Sequence, residues 1–193
     1  MDLNLIIVAL YSYFLGSIPF GLLLTKIFLQ KDIRKVGSGN IGTTNVLRTG
    51  NKSLAVVTLA LDLLKGYVSV YITLSYYESF VSYSALLCFV GHIFPIWLKF
   101  KGGKGVATYL GVILALSHNF FIIFGICWLL SSLLFRFASL SSMISSMIVF
   151  LFAIFFENNN YSLLLFIFFV IILYTHKENI VRLKNSKENK IKL

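Results

Sequence analysis

Long stretches without charge dominate this sequence and decide what it can fold into. A helix needs about 20 apolar residues to cross roughly 30 Å of hydrocarbon. Runs long enough to span, or nearly span, a membrane occur at residues 3–29, 54–76, 80–98, 106–117, 120–135, 140–156 and 161–175. A hydrophobic share of 58% is also too high for a protein with a fully solvated surface. The sequence therefore predicts an all-α integral membrane protein.

The placement of charge predicts how many of these runs cross the membrane. The fourth run, 106–117, is short enough to be a re-entrant segment. If all seven runs cross, however, nearly every Lys and Arg faces one side, and the other side holds only Asp2, Glu78 and Glu157. Omitting the fourth crossing would move Arg136 and the basic tail to the outside. We therefore predict seven transmembrane helices, the fourth short, with the N-terminus outside and the C-terminus in the cytoplasm.

The chain has no visible repeat, linker or soluble domain, which predicts one polytopic membrane domain over residues 1–193. Its cytoplasmic polar segments are predicted at 30–52, 99–105 and 136–142 and in the tail, 176–193, which carries cations as far as Lys192. Cys88 and Cys127 both lie in apolar runs, where a thiol stays protonated and packs. We expect neither a disulfide nor a metal site.

Polar residues interrupt two of the apolar runs. In the first run, Pro19 lies among glycines in the segment 16–21, which predicts a kink or break in the helix. In the second run, Asp62 and Lys65 are three positions apart on one helical face and should pair, because charges within a membrane are costly. A structural pair and a pair that supports a polar site remain equally open.

The first cytoplasmic segment contains a plausible phosphate cradle at residues 37–48. Three glycines allow the backbone amides to turn inward, Ser, Thr and Asn side chains add neutral donors, and Arg48 supplies a fork suited to phosphate oxygens. The composition alone is also typical of a turn-rich loop, and neither a G-x-G-x-x-G motif nor a P-loop lysine pattern is present.

A second cationic segment, Lys-Phe-Lys-Gly-Gly-Lys-Gly, occupies residues 99–105. Its glycines predict a tight loop rich in amide donors, and Lys104 lies just before the fourth predicted helix, whose N-terminal amides also favour anions. Since both segments are predicted to be cytoplasmic, two anion-binding loops should face the same side.

Polar side chains also mark the third and fourth cytoplasmic segments. His176 and Asn179 share a helical face by their spacing, so both could point into the helix bundle. A basic tail that binds anionic lipid is the alternative for this segment. Ser142 lies in a serine-rich helix start, where serines are usually caps.

Taken together, these segments closely resemble the motifs of the bacterial acyl-phosphate:glycerol-3-phosphate acyltransferase family. The resemblance extends over residues 16–191, in the segments 16–21, 32–48, 62–66, 91–108, 139–142 and 176–190. Two departures are minor. Thr43 stands where alanine is more usual, and Ser186 and Lys187 replace a glycine-threonine pair before Glu188.

The resemblance implies that a fatty acyl group passes from acyl phosphate to the 1-hydroxyl of sn-glycerol 3-phosphate. The products would be phosphate and 1-acylglycerol-3-phosphate, or lysophosphatidic acid, for phospholipid biosynthesis. It also implies a multi-pass protein of the bacterial plasma (inner) membrane with a cytoplasmic active site. Acyl phosphate, glycerol 3-phosphate and membrane lipids are the expected partners. No cofactor, metal or nucleic acid is expected, and the oligomeric state and acyl-chain preference cannot be inferred.

The resemblance also assigns residues to this reaction. Its implied catalytic positions are His176, Lys104, Ser142 and Asn179. Its implied substrate-binding positions are Ser38, Asn40, Thr44, Asn45, Arg48, Lys104 and Glu188, of which Asn40, Thr44 and Asn45 would contact acyl phosphate.

The residues favour direct attack by the substrate hydroxyl, because no acyl-enzyme nucleophile and no G-x-S-x-G motif is present. His176 is the best side-chain base, although a phosphate oxygen of the donor could accept the proton instead. Two rival functions remain at this stage. An anion transporter would use the same cationic loops, and a noncatalytic membrane protein could bind anionic lipids through its basic surface.

Overall fold

The computed structural model describes residues 2–156 and 161–191, and all regular elements within them are helical. Glu157 and Lys192 lie outside the described residues. The α-helices of the described part are α1 (Leu3–Gly16), α2 (Phe20–Leu29), α3 (Thr43–Leu47), α4 (Lys52–Tyr76), α5 (Val81–Ile93), α6 (Val106–Leu116), α7 (His118–Phe135), α8 (Ala138–Phe155), α9 (Ser162–Thr175) and α10 (Lys177–Lys184). Short 3-10 turns occur at Ile33–Lys35, Glu78–Phe80 and Ile96–Leu98.

Several of these helices are long and apolar enough to cross a membrane. Five such segments are found in the described part: Leu3–Leu29, Lys52–Tyr76, Glu78–Leu98, His118–Phe135 and Ala138–Phe155. A sixth is possible if α9 and α10, which bend by 59° where they join, form one span. Helix α6 has 11 residues, so it is about 16 Å long at 1.5 Å per residue. The predicted all-helical class is confirmed, whereas the seven crossings and their orientation stay predictions.

The predicted break in the first span is confirmed. Helix α1 ends at Gly16 and α2 begins at Phe20, because Pro19 has no amide hydrogen to continue the helical pattern. The indole Nε1 of Trp97 donates to the carbonyl oxygen of Ser17 at 3.1 Å and to its hydroxyl at 2.8 Å. The Trp97 side chain thus supplies a hydrogen-bond donor to a backbone carbonyl at the break in the helix.

The chain divides into two compact units, of which the first is Met1–Ala115. In this unit α1 packs against α4 and α5, while α2 and α3 pack against α4. Helices α1 and α5 approach closely because they meet at glycines. A Cβ atom on Gly16 would lie 2.0 Å from the carbonyl oxygen of Cys88, and one on Gly91 would lie 2.4 Å from that of Tyr13. Small residues at a helix crossing are typical of membrane proteins.

The second unit is Leu116–Leu193. Helix α7 packs against α8, α8 against α9, and α9 against α10. The chain after α10 returns to the turn between α7 and α8, where the Ile191 amide donates to the Arg136 carbonyl oxygen at 2.7 Å. The tail as far as Ile191 is therefore part of this unit's packing. The single membrane domain predicted over the whole chain stays a prediction.

Candidate active site

The side chain of Asn45 shapes the loop at residues 37–48, the predicted phosphate cradle, which is called the first loop below. Its Nδ2 donates to the carbonyl oxygens of Ile33 at 3.1 Å, Val36 at 2.9 Å and Asn40 at 2.7 Å. Its Oδ1 accepts from the Ser38 amide at 3.1 Å. Asn45 is only 2% exposed, and buried polar backbone must find such partners to avoid a desolvation penalty. One amide therefore holds the loop closed, and a substrate contact by Asn45 stays a prediction.

Arg48 lies across the start of this loop. Gly37 has a φ of 55°, and a Cβ atom there would lie 2.5 Å from Asn45 Oδ1 and 3.0 Å from Arg48 Cδ. Glycine at this position thus allows both side chains to approach the backbone. Arg48 is exposed and forms no ion pair with a carboxylate in the described part of the chain. Its guanidinium charge is available for an anion.

Three other predicted contact residues lie in the same loop. Ser38 and Thr44 are exposed, and Asn40 is half-buried. The Asn40 Oδ1 accepts from the Gly42 amide at 2.8 Å, which turns the chain into α3. The loop thus presents a hydroxyl on each side of this turn.

Arg34 lies just before the first loop and lines a cavity together with residues of the second cationic segment, 99–105. Its guanidinium forms a two-pronged pair with Asp32, with Nη2 to Oδ2 at 2.6 Å and Nε to Oδ1 at 2.9 Å. These hydrogen bonds hold the pKa of Asp32 well below its usual range. A cavity of about 340 Å³ is lined by Arg34, Trp97, Leu98, Lys99 and Lys101. The structure thus brings Arg34 close to Lys99 and Lys101, whereas the cytoplasmic placement of both loops stays a prediction.

The second loop, residues 99–105, packs against the C-terminal end of α5. The amides of Gly102 and Gly103 donate to the carbonyl oxygens of Ile93 at 2.9 Å and His92 at 3.1 Å. These are two of the last carbonyls of α5, which have no partner within the helix. A Cβ atom on Gly102 would lie 2.2 Å from the His92 oxygen, and Gly105 has a φ of 86°. Glycines are required here by close approach and by left-handed backbone.

Lys104 lies within this glycine loop, half-buried between Gly103 and Gly105, which are both buried. Helix α6 begins two residues later, at Val106. The predicted order of loop, lysine and helix start is therefore confirmed, and the backbone that carries Lys104 is held tightly on both sides.

The predicted ion pair within the second span is confirmed, and it has a third member. Lys65 Nζ lies 2.7 Å from Asp62 Oδ1, and the His92 Nδ1 is 2.9 Å from the same Nζ. All three side chains are buried. His92 is not among the members of this cluster predicted from the sequence. A histidine within the apolar run 80–98 was the available signal, because polar groups inside a membrane usually have partners.

His176 joins α9 and α10 in the second unit. It is 3% exposed, and its Nδ1 lies 2.8 Å from the carbonyl oxygen of Ile172, one turn earlier. Because a carbonyl oxygen can only accept, Nδ1 must carry a hydrogen. In the neutral ring the lone pair is then on Nε2, which is the tautomer that a base at Nε2 requires.

Glu188 organises the tail. Its Oε1 accepts from Asn179 Nδ2 at 2.6 Å and from the Ser139 hydroxyl at 2.8 Å, and its Oε2 accepts from Arg182 Nε at 2.7 Å. The Glu188 side chain is 7% exposed, and Asn179 is 5% exposed. Substrate binding by Glu188, which the family resemblance implies, stays a prediction. The contacts of this carboxylate with three other side chains have no local signal in the sequence.

Ser142 has protein partners on α7 and α8. Its hydroxyl donates to the Ala138 carbonyl oxygen at 2.9 Å and accepts from Trp128 Nε1 at 3.1 Å. The bond to Ala138 spans one helical turn, a common arrangement for serine within helices. A catalytic contact by Ser142 stays a prediction.

Replacing Glu188 with glutamine should destabilise the second unit. Burial disfavours the charged carboxylate, but the hydrogen bonds from Arg182, Asn179 and Ser139 outweigh it and hold the pKa of Glu188 below its ordinary value of 4.5. Such a group stabilises the fold above its unfolded pKa and loses that contribution as the pH falls through the folded pKa. We expect Glu188→Gln to lower the free energy of unfolding by about 2 kcal/mol at neutral pH.

Thermal unfolding in detergent, measured from pH 7 down to about pH 3 so that the scan extends well below the ordinary pKa of 4.5, tests this expectation. The difference between Glu188→Gln and the unchanged chain should shrink as the pH falls. Glu178→Gln is the matched control, because Glu178 is 77% exposed and lies 3.8 Å from Arg182, so its pair contributes little. Equal stability of the Glu188 variant at pH 7, or a difference that widens in acid, would contradict the prediction.

The predicted site residues fall into two groups. In the first unit they are Ser38, Asn40, Thr44, Asn45, Arg48 and Lys104. In the second unit they are Ser142, His176, Asn179 and Glu188. His176 and Asn179 are both buried, as their spacing predicted.

Comparisons with known proteins agree along almost the whole chain. The family model described as glycerol-3-phosphate acyltransferase matches residues 6–186. A glycerol-3-phosphate acyltransferase of Pelagibacter ubique is 51% identical over 188 residues, covering 97% of this chain and 98% of that protein. The enzyme of the same description from Brucella anthropi is 46% identical over 194 residues, with 99% and 95% covered.

Solved structures give the same relationship. The crystal structure of PlsY (YgiH), an integral membrane glycerol 3-phosphate acyltransferase, matches in its glycerol 3-phosphate form with a TM-score of 0.93 and 34% identity, covering 98% of this chain and 96% of that one. Its lysophosphatidic acid form matches with a TM-score of 0.89 and 34% identity, covering 97% and 95%. With these matches and its long apolar helices, the chain belongs to the glycerol-3-phosphate acyltransferase family of integral membrane enzymes.

Proposed function

We propose that this enzyme takes its acyl group from acyl phosphate and transfers it to the 1-hydroxyl of sn-glycerol 3-phosphate, forming 1-acylglycerol-3-phosphate. The description of the family names glycerol 3-phosphate as the acyl acceptor. The similar PlsY structures were solved in glycerol 3-phosphate and lysophosphatidic acid forms. The acyl phosphate donor rests on the motif resemblance and on the chemistry of the loops.

The cavity beside Arg34 and the second loop carries this proposal. It is lined by Arg34, Lys99 and Lys101 together with the apolar Trp97 and Leu98. Two lysines beside apolar side chains, with Arg34 already paired to Asp32, suit a phosphate group attached to a fatty chain. Such a cavity attracts the head group of an amphipathic donor electrostatically and gives its chain an apolar neighbour.

The first unit supplies most of the proposed phosphate contacts. Lys104 and Arg48 neutralise substrate phosphates, and the exposed hydroxyl of Ser38 donates to a phosphate oxygen. Asn40, Thr44 and Asn45 contact acyl phosphate, as in the family motif. Because both substrates are anions, neutralising their repulsion is the first requirement of the reaction, and each well-placed donor to the oxyanion could add about 3 kcal/mol.

The reaction itself needs one bond to form and one to break. The hydroxyl oxygen of glycerol 3-phosphate attacks the acyl carbon, and the bond from that carbon to the phosphate oxygen breaks, so that phosphate leaves with the electron pair. The hydroxyl proton passes to His176 Nε2 or to a phosphate oxygen of the donor. We propose that Ser142, Asn179 and Glu188 orient the acceptor in the second unit.

We also propose that the chain crosses a bacterial plasma membrane seven times, with α6 as the short fourth crossing and the loops on the cytoplasmic side. The concentration of Lys and Arg in alternate connections supports this orientation. Thiol labelling from outside intact cells would test it, since a cysteine at Glu78 should react and one at Lys52 should not.

One assay separates this function from its rivals. Purified protein in detergent should release phosphate and form 1-acylglycerol-3-phosphate from palmitoyl phosphate and glycerol 3-phosphate, and it should form none from palmitoyl-CoA. Product from palmitoyl-CoA alone would contradict the donor. A folded sample that makes no product from either donor, but carries glycerol 3-phosphate into liposomes, would favour the transporter.

A further inference from the structure

The proposed reaction gives no role to the buried cluster of Asp62, Lys65 and His92. Their side chains are 3%, 1% and 4% exposed, and all three lie in the first unit. Lys65 Nζ lies 2.7 Å from Asp62 Oδ1, and His92 Nδ1 lies 3.6 Å from the same oxygen. Buried ion pairs are often no more stabilising than apolar residues of similar volume, so stability alone is a weak reason for this cluster.

The ammonium group of Lys65 connects three segments. Besides its ion pair within α4, it donates to the His92 Nδ1 of α5 at 2.9 Å and to the carbonyl oxygen of Ile18 at 2.8 Å. Ile18 lies at the break between α1 and α2. The ring of Phe20, the first residue of α2, is 5.6 Å from the same Nζ. One buried cation therefore fixes α5 relative to the broken first span.

The other side of the His92 ring contacts the second loop. A Cβ atom on Gly103 would lie 2.2 Å from His92 Nε2, and the three nearest atoms to it all belong to this ring. The Gly103 amide also donates to the His92 carbonyl oxygen at 3.1 Å. His92 therefore holds Gly103 by both its ring and its backbone, directly before Lys104.

We propose that Asp62, Lys65 and His92 are positioning residues that place the second loop so that Lys104 meets its phosphate. The inference rests on the proposed phosphate contact of Lys104. The pair with Lys65 fixes the plane of the imidazole ring, and the ring in turn sets the position of Gly103. A misplacement of about 1 Å in such a group can cost a hundredfold in rate.

The pair Gly103→Ala and His92→Asn tests this relationship. The alanine methyl group would overlap the imidazole, so Gly103→Ala alone should lower kcat about 50-fold. Asparagine keeps an acceptor near the position of Nδ1 for Lys65 but lacks the distal ring atoms. In a His92→Asn background the same Gly103→Ala change should therefore cost less than about threefold. Such a rescue is not expected if the histidine acts only through general stability.

Gly125→Ala is the matched control, since Gly125 is exposed on α7 and its Cβ would meet no atom within 4 Å. It should change kcat by less than about twofold. Costs of Gly103→Ala that are equal in both backgrounds would overturn the proposal.

Hydrogen–deuterium exchange of the segment 99–105 supplies a readout that does not depend on turnover. In His92→Asn alone, the amides of Gly102 and Gly103 should exchange faster, while the thermal midpoint changes little. Unchanged exchange there would overturn the proposal even if Gly103→Ala failed to fold. If the unchanged chain made no product from acyl phosphate, the proposed function would fail, and the exchange result would still decide the positioning role.

Discussion

Replacing Lys104 with methionine should lower kcat/KM about 100- to 1,000-fold, the cost of removing one preorganised donor from a charged transition state. Methionine keeps a similar length and apolar stem but removes the ammonium group. Lys104 lies in a loop whose flanking glycines are buried and whose amides are tied to the end of α5. Since the backbone is held, the substitution should leave the position of residue 104 unchanged.

Lys52→Met is the matched control for this prediction. Lys52 is exposed at the start of α4, in the same predicted cytoplasmic segment as Arg48. The control removes the same charge from the same predicted face, so it reports the effect of general surface potential, which is screened by salt. Steady-state kinetics at fixed ionic strength should show a change below about threefold for Lys52→Met. Similar losses in both variants would contradict a specific contact by Lys104.

Much of the fold follows from local sequence. Apolar length predicts the helices, Pro19 predicts the break in the first span, and the spacing of Asp62 and Lys65 predicts their ion pair. Each of these features depends on neighbours within one helical turn or on a property of a single residue type. The number of membrane crossings does not follow from local sequence in this way. Helix α6 is too short for its length to show whether it crosses the membrane, so the placement of charge is the argument that it does.

Three side chains show why the site could be predicted only in part. His92 forms a hydrogen bond with Lys65, which is 27 positions away in the sequence. Glu188 accepts a hydrogen bond from Ser139, which is 49 positions away. Such partners depend on packing between helices, which no short pattern encodes. Asn45 was identified through a motif as a substrate contact, yet its amide bonds are with its own loop. A motif marks a residue as important without distinguishing binding from support.

Replacing His176 should separate its structural bond from its chemistry. In His176→Asn the amide nitrogen can still donate to the Ile172 carbonyl oxygen, as Nδ1 does at 2.8 Å, but the acceptor at Nε2 is lost. If Nε2 takes the hydroxyl proton, kcat at saturating substrate should fall by about 1,000-fold, within the usual contribution of a general base. The His176→Ala variant, which lacks both groups, should be equally slow and also less stable.

His118→Asn is the control, because His118 is exposed at the start of α7. It should leave kcat unchanged. Full activity in His176→Asn with a folded sample would assign the proton to a phosphate oxygen of the donor and leave His176 the task of joining α9 to α10.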